Sequence, residues 1–116
     1  GTSVVGCKAD EMGIGPVFAI PKLLEKYNLS IQDIGLFEIN EAFSNVTLAA
    51  MREHCIPHDQ VNINGGAVSL GHPIGASGAR ILVTLIAALQ KKQKKRGLAT
   101  LCIGGGEAAA IIVEII

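Results

Sequence analysis

Two apolar runs close the chain, residues 98–103 and 108–115, and between them lies only the stretch Gly104-Gly105-Gly106-Glu107. A connection that short and that rich in glycine suits neighbouring antiparallel strands, so the sequence predicts a C-terminal antiparallel hairpin. The rest of the chain has to be arranged around that pair. Upstream, strand-like stretches at 3–9 and 35–39 alternate with stretches of helical period: Val17, Ile20, Leu23, Leu24 and Tyr27 after Pro16; Val46, Leu48, Ala49 and Met51; and Ile81, Leu82, Leu85, Ile86 and Leu89. Short extended pieces at 61–64 and 67–70, around Gly65-Gly66, supply one more strand, which makes five. Near-continuous apolar strands alternating with amphipathic helices imply an α/β domain whose mixed sheet is covered, in part at least, on both faces. A length of 116 residues suffices for one such domain and is too short for two.

Local signals mark the element ends. Asn28 closes the first helix, within which Pro21 is an awkward resident, and Ser30 to Asp33 has the S-x-x-D outline of a capping box. Ala76 or Ser77 opens the last helix. Gly97 is the expected residue just past its end, behind a run of cations at 91–96 that reads as a solvated helix terminus.

Composition removes several classes of function. Aromatic residues make up 3% of the chain, too few for base-stacking platforms, and ten Lys plus Arg balance ten Asp plus Glu, so no net field recruits nucleic acid or an anionic membrane surface. Gly, Pro or charge interrupts every apolar stretch well before about 18 residues, which excludes a spanning helix. Cys7, Cys55 and Cys102 lack C-x-x-C spacing, so no structural metal site is implied, and three thiols without a signal peptide point to a reducing, intracellular compartment. The opening GTSVVGCKAD reads as a start in mid-domain, the mark of an excised segment.

Three polar clusters interrupt the apolar pattern. His72 sits in the glycine-rich stretch 62–80, a proton carrier usable at neutral pH on a shaped loop, with Pro73 fixing the chain behind it. Asn40 follows a strand, where it could equally be a helix N-cap, and Cys102 lies inside the hairpin's first strand, where it could be a small core hydrophobe. Taken together, NEAF at 40–43, GGAVSLGHPIGASGAR at 65–80 and CIGGG at 102–106 strongly resemble the thiolase family, in particular the C-terminal domain of acetoacetyl-CoA and 3-ketoacyl-CoA thiolases. MGIGP at 12–16 is similar to that family too, and the resemblance extends over nearly the whole chain.

The resemblance implies a thiolase-like three-layer α/β/α domain and acyl transfer between a protein cysteine and coenzyme A, by thiolytic cleavage of a 3-ketoacyl-CoA or Claisen condensation of two acyl-CoA molecules. Coenzyme A and acyl-CoA are then substrates, with no covalently bound cofactor and no metal. By motif, Cys102 matches the acid/base cysteine, whose thiolate form would be tuned by nearby donors. His72 matches the residue that activates the nucleophilic cysteine and donates to the thioester oxygen. Asn40 matches the holder of a water in the same oxyanion hole, and the Gly104 N–H matches a donor of a second one. Met12, Ala42 and Phe43 match positions lining the acyl and pantetheine pocket. Glu41 has no assigned role, and Cys7 and Cys55 match no catalytic motif.

A complete thiolase has two similar halves, with the nucleophilic cysteine in the first. The chain corresponds to the second, so residues 1–116 are expected to form a single C-terminal domain, inactive without its N-terminal partner half. The apolar register of the 76–90 helix suggests a homo-oligomer that imitates the missing interface. A mitochondrial and a cytoplasmic location are both compatible. Two other readings compete: a stand-alone acyl-CoA-binding or scaffolding domain without catalysis, and a nucleotide-binding module, which the absence of G-x-x-x-x-G-K-[ST] disfavours.

Overall fold

In a computed structural model that describes all 116 residues, β1 (Thr2–Gly6) leads through a 3-10 segment (Ala9–Ile14) into α1 (Gly15–Lys26). A 3-10 turn (Ile31–Asp33) precedes β2 (Leu36–Ile39), and α2 (Ser44–His54) follows. The second half comprises a single helical turn α3 (Ala67–Leu70), the long α4 (Ser77–Lys92), β3 (Arg96–Ile103) and β4 (Glu107–Glu114).

The sheet has four strands in the order β1-β4-β3-β2. β1 and β3 each pair antiparallel with β4, while β2 pairs parallel with β3, so the sheet is mixed and the predicted hairpin is present. Alternation sorts the strand residues between two cores. Phe37, Ile39, Leu98, Ala108 and Ala110 pack with Ile20, Leu23 and Leu24 of α1 and Ala50 of α2. On the other face Leu36 and Ala99 pack with Ile81, Leu85, Ala88 and Leu89 of α4. The result is the expected three layers.

The fifth strand is not formed. Val61 makes one isolated parallel bridge to Phe37, and the next residue, Asn62, takes φ +46°, which ends the extended conformation. Its side chain substitutes for the missing ladder: Oδ1 accepts from the Ile39 N–H and Nδ2 donates to the Ile39 carbonyl, both at 2.8 Å. Residues 67–70, expected as extended, close instead into the α3 turn, with Leu70 N–H donating to the Gly66 carbonyl at 3.0 Å.

The end of α4 also differs from expectation. The helix stops at Lys92, where Gln93 takes the left-handed conformation at φ +53° and Lys94 N–H returns to the Leu89 carbonyl at 2.9 Å. Gly97 lies inside β3, where a Cβ would stand 2.7 Å from Leu85 Cδ1 and 2.8 Å from Leu89 Cδ1; close helix-to-strand approach explains the glycine. The cationic run is divided accordingly. Lys91 and Lys92 close the helix, whereas Lys95 and Arg96 pair with Glu114 at 3.0 and 2.7 Å. The capping box forms as predicted, Asp33 Oδ2 accepting from the Ser30 N–H at 2.8 Å. No helix is long and apolar enough to cross a membrane.

Candidate active site

β2 and β3 run parallel, and ligands of open α/β sheets collect where such strands end. Asn40 is the first residue beyond β2, and its N–H extends the parallel ladder by donating to the Thr100 carbonyl at 2.9 Å. Cys102 lies two residues further along β3. The strands thus bring two of the three polar clusters to one end of the sheet.

The third cluster arrives on the loop before α4. His72 Nε2 approaches Asn40 Nδ2 at 3.5 Å, a long contact, and His72 Nδ1 lies 2.6 Å from Ser77 Oγ in the first turn of α4. Ser77 Oγ donates its only proton to the Pro73 carbonyl at 3.2 Å. With the hydroxyl proton assigned to Pro73, Oγ accepts from Nδ1–H and the Nε2 lone pair is assigned to the side facing the Asn40 amide. In this tautomer Nε2 is free to act as a base. Asn40 is only 1% exposed, and its Oδ1 is buried with no hydrogen-bond partner in the chain. A buried acceptor left unpaired is costly, so this oxygen is suited to a donor brought in from outside the chain.

Cys102 belongs to a different surface of the same sheet end. Alternation puts it with Leu98 and Thr100 on the α1 side, whereas Asn40 follows Leu36 and Glu38 on the α4 side, and no hydrogen bond links Cys102 to His72 or Asn40. Burial pushes the Cys102 thiol above its ordinary value of 9.0, against the pull of a backbone hydrogen bond and with Cys7 adding to the rise. Within this chain alone the net direction is away from thiolate, burial outweighing the backbone hydrogen bond.

Gly104 opens the turn after β3. Gly105 and Gly106 N–H both donate to the Ile103 carbonyl, at 3.0 and 3.3 Å, while the Gly104 N–H makes no hydrogen bond within the chain, and open space surrounds its α-carbon. Met12 and Phe43 line one cleft of about 420 Å³ together with Gly13, Ile14 and Val46, and Phe43 is 64% exposed. Ala42 is half-buried and is not among the residues lining that cleft. Cys55 is exposed at the left-handed end of α2, the far end of the helix from Ala42 and Phe43.

Sequence reasoning passed over Ser77, Asn62 and Glu38. Ser77 could have been noticed from its place five residues after His72 in GHPIGAS, at a helix start. Glu38 had no such signal: a single acidic residue in an apolar strand reads as exposed, yet it is 4% exposed, and burial, followed by the nearby Glu41, pushes its carboxyl up to about 7 against the pull of Arg80.

A family model described as "Thiolase, C-terminal domain" matches residues 1–115. An acetyl-CoA acetyltransferase of Chromobacterium violaceum is 51% identical over 114 residues, covering 98% of the chain and 29% of that protein. A cytosolic acetyl-CoA acetyltransferase of Mus musculus is 48% identical over 112 residues, covering 97% and 28%. Crystal structures of human mitochondrial 3-ketoacyl-CoA thiolase, one of them in complex with CoA, superpose with TM-scores of 0.97 and 0.96 at 43% identity, covering all of the chain and 29% of theirs. The chain spans under a third of the length of these relatives.

Proposed function

Since the chain belongs to the thiolase family and matches its C-terminal domain, we propose that it supplies one catalytic half of an enzyme that transfers acyl groups to and from coenzyme A. The reaction is thiolytic cleavage of a 3-ketoacyl-CoA or, in reverse, Claisen condensation of two acetyl-CoA molecules. The observation that carries this reading is the Asn40–His72–Ser77 line, with one buried, unpartnered oxygen on Asn40 and the His72 ring held between Asn40 and Ser77.

In this reading Ser77 holds the His72 tautomer whose Nε2 takes the proton of a nucleophilic thiol, and the resulting imidazolium then donates to the thioester oxygen. Asn40 Oδ1 accepts from a water, whose second donor faces the same oxygen. Cys102, buried, delivers a proton to the departing α-carbon in cleavage and recovers one from the α-carbon in condensation. The free Gly104 N–H is a donor to the tetrahedral intermediate at the acyl-enzyme. Met12 and Phe43, with Ala42 beside them, accept the acyl and pantetheine portion in their shared cleft. Residues 1–116 act as a single domain that works only with a nucleophile-bearing N-terminal half, and alone they associate with a second copy. Family members named cytosolic and mitochondrial are both represented among the relatives, so the compartment follows from neither.

The test is thiolysis of acetoacetyl-CoA by the chain alone, then with the N-terminal half of a related thiolase added, with Cys102→Ser as control. We expect no turnover alone, turnover on mixing, and a loss of at least about 100-fold in Cys102→Ser, as for removal of a general acid/base. Turnover by the chain alone would refute the need for a second half. Binding of acetyl-CoA without turnover in any mixture would replace catalysis by acyl-CoA binding.

A further inference from the structure

Glu41 directly follows Asn40, and its carboxylate reaches away from the site into the glycine-rich stretch. Oε1 accepts from Asn62 Nδ2 at 3.1 Å and Oε2 accepts from the Val68 N–H at 2.9 Å. The same Asn62 amide holds both backbone groups of Ile39 at 2.8 Å, so one short segment of β2 is bonded twice to the start of the loop. Gly66 fits this arrangement by having no side chain: a Cβ there would stand 2.5 and 2.6 Å from the two Glu41 carboxylate oxygens. The loop then passes Gly71, at φ +88°, to His72.

His72 therefore hangs between two anchors. On its C-terminal side Ser77 bonds its ring, and on its N-terminal side the nearest fixed points are Asn62 and Val68, both held by Glu41. Its approach to Asn40, at 3.5 Å, is too weak to set the loop's position by itself. A carboxylate accepting charge-assisted bonds is a stronger restraint. We infer that Glu41 is a positioning residue, whose carboxylate clamps the glycine-rich loop to β2 and so sets the distance between His72 and Asn40. The catalytic consequence rests on the function proposed above; the clamp itself does not.

The test uses Glu41→Ala, Gly66→Ala and the double variant, read in two ways. In the isotope-labelled chain, nuclear magnetic resonance follows the Val68 amide and the His72 ring. In the mixture with an N-terminal half, kcat and KM for coenzyme A are measured. Glu41→Ala is expected to raise Val68 amide exchange and to shift the His72 ring resonances and titration midpoint, although no bond joins Glu41 to His72. kcat should fall about 10- to 100-fold, as for a misplacement near 1 Å, with KM within about twofold. Gly66→Ala, which expels the carboxylate sterically, should give the same pattern, and the double variant should fall no further than Glu41→Ala, because both act on one clamp.

An unmoved His72 in folded Glu41→Ala would overturn the inference, and so would losses that multiply in the double variant. If Glu41→Ala does not fold, Glu41→Gln keeps the volume and loses one acceptor. It must shift His72 in the same direction, or the inference fails. Absence of turnover in the wild-type mixture would count against the proposed function alone, since the resonance measurements decide the clamp without it.

Discussion

Glu38 stands two residues before Asn40 on the face of β2 that α4 covers, a carboxyl 4% exposed beneath the candidate site. Burial, helped by the like charge of Glu41, lifts it from 4.5 to about 7, and Arg80 offsets only part of the rise. Between those two values the folded chain holds a proton here that the unfolded chain has released. Folding therefore binds a proton, and stability must fall as pH rises from about 4.5 through 7. Thermal melts across that range should show the fall in wild type and its loss in Glu38→Gln; parallel curves for the two proteins would refute it. Residues of this kind are where the sequence was least legible. His72, Asn40 and Cys102 could be singled out from motifs along the chain, but Glu41 and Asn62 acquire their roles from partners 21 to 27 positions away, which no local pattern displays.

The elements were mostly readable, because each long helix and strand carries its own periodicity. α1 runs from Gly15 through Pro21 to Lys26 with Ala19, Ile20, Leu23 and Leu24 buried, as the spacing of its apolar residues requires. Two boundaries were not readable because a residue other than the expected one supplied the signal. At Asn62 a side-chain amide replaced a strand ladder, and at Gln93 a non-glycine residue took the left-handed cap, freeing Gly97 for β3. The second substitution has a measurable consequence. Leu85 and Leu89 are fully buried against Gly97. Gly97→Ala inserts a methyl against the tips of two fully buried leucines, and overpacking of this kind costs about 1–3 kcal/mol. Urea unfolding should show that loss, and an unchanged midpoint would mean that α4 can move off the strand. The outer edge of β1 is managed by other side chains: Lys22 Nζ donates to the Val4 carbonyl at 2.9 Å and Lys26 Nζ to the Thr2 carbonyl at 3.2 Å, placing charges along an edge that could otherwise pair with another chain.

Over the whole molecule, the two faces of the sheet are unequally covered. α1 packs across β1, β4 and β3, whereas α4 packs on β2 and β3. The β1 and β4 half of the α4 side holds a shallow apolar cleft of about 260 Å³, lined by Val4, Leu82, Leu101, Ala109 and Ile111, with Val4 60% exposed. Much of the apolar register of α4 is spent on its own sheet, through Ile81, Leu85, Ala88 and Leu89, so the surface that drives the proposed self-association is this open half-face more than the helix alone. Sedimentation at high concentration is expected to show a dimer, dissociated by Val4→Lys. A monomer at every concentration would remove the proposal.

The strand order has one more consequence, for the timing of synthesis. β1 pairs only with β4, Thr2 opposite Ile111 and Gly6 opposite Glu107. Of the four strands, the one made first thus waits for the one made last, an interval of roughly 5 to 20 seconds at about 5–20 residues per second. During that time α1 is the helix of this chain placed to shield it, with Ser3 Oγ donating to the Ala19 carbonyl and two lysines covering its own carbonyls. The β1–α1 pair is in effect a holding arrangement, and the sheet is completed in one late step when the final hairpin closes onto it.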